Sequence, residues 1–210
     1  MIQAYKTFML GGPIMLILLV LSLAAAAVFV QRLLFARRAW EDPEEAEGIA
    51  ADMLAAGRPA EALASVSDGP DTSLRRVLRA GLSHWKLSGA DLRDLLQQEI
   101  RREAFRWSWG LGFLSVTARV APLLGLLGTV VGMVDIFQAL PEVSSSPMTA
   151  LAGGIYKALF TTVAGLIIAI PALLAHSWCS SRVDRLEETL SRTSDLLLRC
   201  HMAGRGSHED

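Results

Sequence analysis

Three stretches of the 210-residue chain carry almost no charge. Phe8–Val30 is an uncharged run of 23 residues, Val120–Leu140 is interrupted only by Asp135, and Pro147–Ala175 only by Lys157. Each reaches the length of about 20 apolar residues that a helix needs to cross a bilayer. A water-soluble domain has no use for three such runs. The expected fold class is therefore an all-α membrane protein with three transmembrane helices, the second and third extending far into the cytoplasm.

The first run must be weighed against a signal peptide, because Lys6 precedes it and Ala24–Ala27 imitates a cleavage site. Its apolar core is longer than the about 7–15 residues of a signal core, and Arg32, Arg37 and Arg38 follow it. It reads as a retained helix. The formal net charge is only −1, but the basic residues are unevenly placed. Arg101, Arg102 and Arg106 precede the second span, Arg182, Arg185 and Arg192 follow the third, and the loop from Pro141 to Pro147 has none. Basic residues gather on the cytoplasmic side. The N-terminus and that loop are thus expected outside, with the large connection and the C-terminus inside a bacterial inner membrane. Cys179 and Cys200 then lie on the reducing side and read as free thiols.

Within the second span, Ala118, Ala121, Gly125, Gly128 and Gly132 recur at steps of three and four, with Thr129 beside them. Such a stripe of small residues lets helix backbones approach closely in lipid, and suggests packing against other helices and against copies of the same chain. The third span repeats the habit with Gly153, Gly154, Ala158, Thr161, Thr162 and Gly165.

In chain order, 1–38 reads as an N-terminal segment and the first span. Residues 39–89 form a cytoplasmic helical region, with helices expected over Pro43–Ala56, Pro59–Ser65 and Leu74–Trp85, and a turn cluster at Ser67–Ser73. At about fifty residues it is near the lower limit for a core of its own, so it is expected to pack on its neighbours. Ser88 and Asp91 form a weak capping box. From there 90–140 reads as one long helix that includes the second span, because no turn cluster interrupts it. Pro122 is expected to bend it. The outer loop is 141–147, the third span with its cytoplasmic extension is 148–201, and 202–210 reads as a disordered tail.

Two charges stand at membrane depth, where a lone charge costs about 2.5–3.5 kcal/mol on insertion scales and marks a function or a buried partner. Asp135 lies near the outer end of the second span and Lys157 about nine residues into the third. They either pair or face a common water-filled cavity, unless Asp135 sits at the interface and Lys157 snorkels outward. Thr129, Thr161 and Thr162 either bond back to their own backbone or line an aqueous path, where a hydroxyl both donates and accepts. The four histidines fall outside the spans. No metal spacing, nucleotide loop or nucleophile constellation appears, so neither an enzyme nor a cofactor is expected. The arginines Arg75, Arg76 and Arg79 sit among acidic neighbours and read as a solvated face, not a nucleic-acid surface.

The strings APLLGLLGTVVGM (Ala121–Met133) and GGIYKALFTTVAGLIIAIPA (Gly153–Ala172) resemble the two signature segments of the MotA/TolQ/ExbB proton channel family. Three spans with one large cytoplasmic loop, and a GGP start to the first, look most like its ExbB/TolQ branch. The resemblance implies a homopentamer whose second and third helices line a pore. That pore would hold two copies of a single-span ExbD/TolR-like partner, and a TonB/TolA-like protein would receive the work. It implies that Thr129 and Thr162 are pore threonines. It also departs from the family at Lys157, where many ExbB-like members have glutamate; a fixed cation does not relay protons unless burial lowers its pKa greatly, so either the partner's aspartate alone carries them, with Lys157 as its counter-charge, or the energised cycle differs, and the coupled ion is proton or sodium. Besides the ion-pathway candidates Thr129, Thr161, Thr162, Asp135 and Lys157, the packing candidates are Ala121, Gly125, Gly128, Gly132, Gly154 and Gly165. A non-conducting scaffold is the alternative. The outer-membrane client is not legible.

Overall fold

The structure, a computed structural model, describes residues 12–39, 43–139 and 147–206. Among them are seven helices and no strand: α1 Gly12–Ala39, α2 Pro43–Ala55, α3 Pro59–Asp68, α4 Ser73–Ser83, α5 Gly89–Ser108, α6 Leu111–Ala139 and α7 Pro147–Gly206. Three of them, α1, α6 and α7, are long and apolar enough to cross a membrane. This is an all-α membrane protein. The opening segment before Gly12 and most of the loop expected at 141–147 lie outside the described residues.

The chain divides into two compact units: residues 1–31 with 110–178, and 32–109 with 179–210. The first, a membrane unit, is built inside out. Met15, Leu18, Ala121 and Ala169 form its buried centre, with Leu124, Phe160 and Ala164 packed around them. Large residues such as Leu23, Leu123, Ile167 and Leu174 point away from it, each more than 60% exposed. That distribution suits a lipid surround, where turning leucine inward gains little and close backbone packing gains more. Phe29 and Trp178 meet edge to face at 6.2 Å, fastening the last turns of α1 in this unit to α7.

The second, an aqueous unit, owes its helix boundaries to local chemistry. Gly57, at φ +71°, ends the first turn of chain after α2 in a conformation that only glycine adopts without strain. Pro59 opens α3, where its missing N–H costs nothing. The Thr72 hydroxyl accepts the Arg75 N–H and caps α4, while Ser88 accepts the Asp91 N–H at 3.2 Å and donates to its carboxylate at 2.6 Å to cap α5. Val77, Leu78, Leu92, Leu96, Leu190 and Leu197 are wholly buried together with Ala50 and Ala62. The region 39–89 therefore has no core of its own. It shares one with α5 and the last third of α7, where Leu197 seats against Gly81, His201 Nε2 meets the Trp85 carbonyl oxygen at 3.0 Å, and the Thr193 hydroxyl donates to Glu47.

Two boundaries differ from those expected. The single helix over 90–140 is instead two, α5 and α6, separated at Trp109 and Gly110. Trp109 leaves the helical region (φ −56°, ψ 134°) and Gly110 follows at φ +78°, the angles of a type II turn, whose third position calls for glycine. Pro122, by contrast, sits inside α6 without ending it. At the C-terminus α7 continues to Gly206, through the first five residues of the tail expected over 202–210, and the rest of that tail lies outside the described residues; Met202 and Ala203 extend the helix, and one glycine inside it costs only about 1 kcal/mol. Gly110 offers a direct check. A Cβ there would lie 2.9 Å from Val28 Cγ1 and would sit at positive φ. Gly110→Ala should cost about 1–2 kcal/mol, read as a lower thermal midpoint of the detergent-solubilised chain.

Candidate functional site

The contact between α6 and α7 is set by residues with little or no side chain. A Cβ on Gly125 would lie 2.9 Å from both the Thr161 carbonyl oxygen and the Thr162 Cα, and one on Gly165 would lie 2.5 Å from the Ala121 carbonyl oxygen. On Gly128 it would meet Thr161 Oγ1 at 2.5 Å, and on Gly132 the Ala158 Cβ at 3.3 Å. On Gly154 it would collide with Ile136. Ala121 and Gly125 thus stand against Gly165, Thr161 and Thr162 backbone to backbone, while Gly128 and Gly132 make room for the Thr161 side chain and the Ala158 methyl group.

Bare glycine backbone leaves its carbonyl open to hydrogen-bond donors from the facing helix. The Gly125 carbonyl oxygen accepts the Thr162 hydroxyl at 3.1 Å. It also lies 3.2 Å from the Thr161 hydroxyl, which shares its single proton with the Ala158 carbonyl at 2.7 Å. Thr161 is buried and Thr162 half-buried. Thr129 faces outward and donates to the Leu126 carbonyl on its own helix at 2.6 Å. All three hydroxyl protons are therefore committed to backbone carbonyls. What each threonine still offers is its oxygen lone pairs, so the site accepts hydrogen bonds from an incoming donor.

The charged candidates are not brought into this contact. Asp135 is exposed, one turn before the end of α6. Lys157 belongs to α7, but its side chain, and with it the expected Asp135–Lys157 pair, lies outside the described residues.

Thr117 went unremarked in the sequence. It is wholly buried, and its hydroxyl has no partner among the described residues. A helical threonine ordinarily bonds back to its own backbone; one that does not loses about 1–3 kcal/mol of hydrogen bonding. The signal was present in the spacing: 117, 121, 125, 128 and 132 continue one stripe at steps of four, four, three and four.

Comparison with known proteins agrees with this geometry. The profile of the MotA/TolQ/ExbB proton channel family matches residues 70–192, which include all of α6 and the part of α7 that faces it. The biopolymer transport protein exbB1 of Vibrio cholerae is 33% identical over 128 residues, 57% of this chain and 56% of its own. The Tol-Pal system protein TolQ of Pseudomonas aeruginosa is 30% identical over 128 residues, 56% and 55% of the two chains. A putative biopolymer transport protein, ExbB-like 1 of Synechocystis sp., is 33% identical over 175 residues, 80% of this chain and 66% of its own. The chain spans little more than half the length of the Vibrio and Pseudomonas relatives. With a profile that covers more than half of it and relatives that bear these names, the chain belongs to the MotA/TolQ/ExbB proton channel family, in its ExbB/TolQ-like branch.

Proposed function

We propose that the chain is the channel-building subunit of a proton-driven energy transducer in a bacterial inner membrane, and not an enzyme. Five copies surround two copies of an ExbD/TolR-like single-span partner. Ion flow past them does mechanical work on a TonB/TolA-like protein, for outer-membrane transport or envelope maintenance. The N-terminus lies outside and the C-terminus in the cytoplasm. The observation that carries this reading is the polar strip at membrane depth, where Thr161 and Thr162 meet on the Gly125 carbonyl. Its hydroxyls have lone pairs to spare and no proton to give, so they suit a partner's protonated carboxyl, which donates to them as it passes. Proton carriage then falls to the partner's aspartate, with Lys157 as its counter-charge.

A second reading, a scaffold that only assembles, draws support from the same contact, since the Thr129, Thr161 and Thr162 protons are all satisfied inside the chain. Liposomes decide between them. The chain reconstituted with its ExbD/TolR-like partner should take up protons under an imposed potential. Uptake should fall at least tenfold when the partner's aspartate becomes asparagine, and measurably with Thr162→Ala or Lys157→Leu. A correctly assembled complex that passes no ion supports the scaffold, and sodium flux in place of proton flux changes the coupled ion while keeping the architecture.

A further inference from the structure

The aqueous unit buries a carboxylate that the proposed function does not use. Glu103, on α5, is 3% exposed. Its Oε1 accepts the Arg106 guanidinium at 2.8 Å and the Arg76 guanidinium, from α4, at 3.4 Å. Its Oε2 is buried with no hydrogen-bond partner among the described residues. Arg76 is not wholly free to serve it, because the same guanidinium grips Asp71 through two nitrogens. One turn on, the Trp107 indole N–H donates to the Ser73 hydroxyl at the start of α4, at 2.9 Å. The Arg106 carbonyl takes Arg32, from the tail of α1, at 3.0 Å. So the residues that knit α1, α4 and α5 together surround a carboxyl group with one oxygen held by two guanidinium groups and the other, with the Ser73 hydroxyl nearby, short of a donor within hydrogen-bond geometry.

We propose that Glu103 is a proton-binding site of the aqueous unit, whose protonation sets how tightly α4 holds α5. An ionised oxygen buried without a donor is costly, whereas a neutral carboxyl there costs far less. Burial pushes the Glu103 carboxyl above its ordinary value; Ser73 and Arg76 pull it down, and the like charges of Glu99 and Asp71 push it further up. The charged groups that bear on it are Arg76 of α4, Asp71 just before that helix, and Glu99 and Arg106 of its own helix; Arg79 acts on Asp71, and Arg32 reaches the Arg106 carbonyl. Because the folded chain holds this proton more tightly than the unfolded one, its stabilising contribution is full below the unfolded carboxyl range, about 4.3 for glutamate. It is lost as pH rises through the raised folded value. Acid tightens the joint, and base loosens it.

This inference rests on the packing of the aqueous unit and not on the channel reading, so either can fail while the other stands. The test uses the whole chain in lipid nanodiscs, as wild type and Glu103→Gln, melted between pH 5 and pH 9. At the alkaline end Glu103→Gln should melt higher by about 3 °C, on the scale for chains of this size, and the difference should vanish at the acid end. Infrared difference spectra of the wild type should show a protonated, buried carboxyl band growing in above the pH at which exposed carboxylates protonate. That band should be absent from Glu103→Gln. A melting difference that ignores pH, or widens towards acid, overturns the proposal. So does the absence of the infrared band in wild type. Should Glu103→Gln not fold, Glu103→Asp must displace the band, and a band that stays in place overturns the assignment equally.

Discussion

Gly165→Ala should cost the membrane unit about 1–3 kcal/mol, the range for overpacking a closely packed contact, although it adds a single methyl group. Its Cβ would stand 2.5 Å from the Ala121 carbonyl oxygen and close to the Gly125 Cα. Backbone has no rotamer to move aside, so the two helices must separate, and the Thr161 and Thr162 bonds to Gly125 lengthen with them. Gly153→Ala is the matched control. It lies on the same helix with nothing within 4 Å of its Cβ, so the substitution should stabilise by up to about 1 kcal/mol through helix propensity alone. Thermal unfolding of both variants, beside wild type in one detergent, measures the contrast. Equal midpoints for the two would mean that the close contact carries no weight. In the reconstituted channel, Gly165→Ala should also abolish uptake while Gly153→Ala leaves it intact.

The second large effect belongs to the aqueous unit. Replacing both Arg76 and Arg106 with methionine should destabilise the chain by about 3–5 kcal/mol near pH 8, because it strands the buried Glu103 charge. Long apolar stems replace the arginine stems, so most of the packing stays and the loss reports the charge. Two further outcomes follow from the sign. The deficit should shrink on acidification, since protonating Glu103 removes the stranded charge. Adding Glu103→Gln should restore most of the stability at alkaline pH, a coupling that a double-mutant cycle reads directly. Breaking Asp71 instead should do much less: its carboxylate is exposed, held below its ordinary range by hydrogen bonding to Arg76.

Much of this architecture could be read from the chain because strong, repeated signals wrote it. Three nearly uncharged runs gave the spans, and glycines at steps of three and four gave the face on which α6 meets α7. In the aqueous unit, Gly57, Pro59, Thr72 and Ser88 act within a few residues of themselves, so helix boundaries there were legible to within a few positions. The break at Trp109–Gly110 was not. A lone glycine in a helical pattern is usually tolerated, and nothing around Gly110 marks it as different from Gly112 or Gly125. Only the backbone angles distinguish them. Glu103 drew no reading of its own, because a single glutamate among the charged residues of α5 has no local mark of burial beyond its spacing: 92, 96, 103 and 107 fall on one helical face and the other three are apolar. Thr117 likewise lay in the small-residue stripe, but a hydroxyl's lack of a partner is a tertiary fact with no local trace.

The shared core of the aqueous unit has a consequence for how the chain is made. Residues 32–109 leave the ribosome long before 179–206, yet Leu190 and Leu197 are buried with Leu92 and Leu96 in a single core, and Gly81 is shaped to receive Leu197. At synthesis rates of about 5–20 residues per second, the first segment waits some seconds, with its apolar face uncovered, until both later spans have been inserted. A chain whose membrane insertion stalls before α7 is complete therefore lacks Leu190 and Leu197 to close this core, and its leucine face stays uncovered.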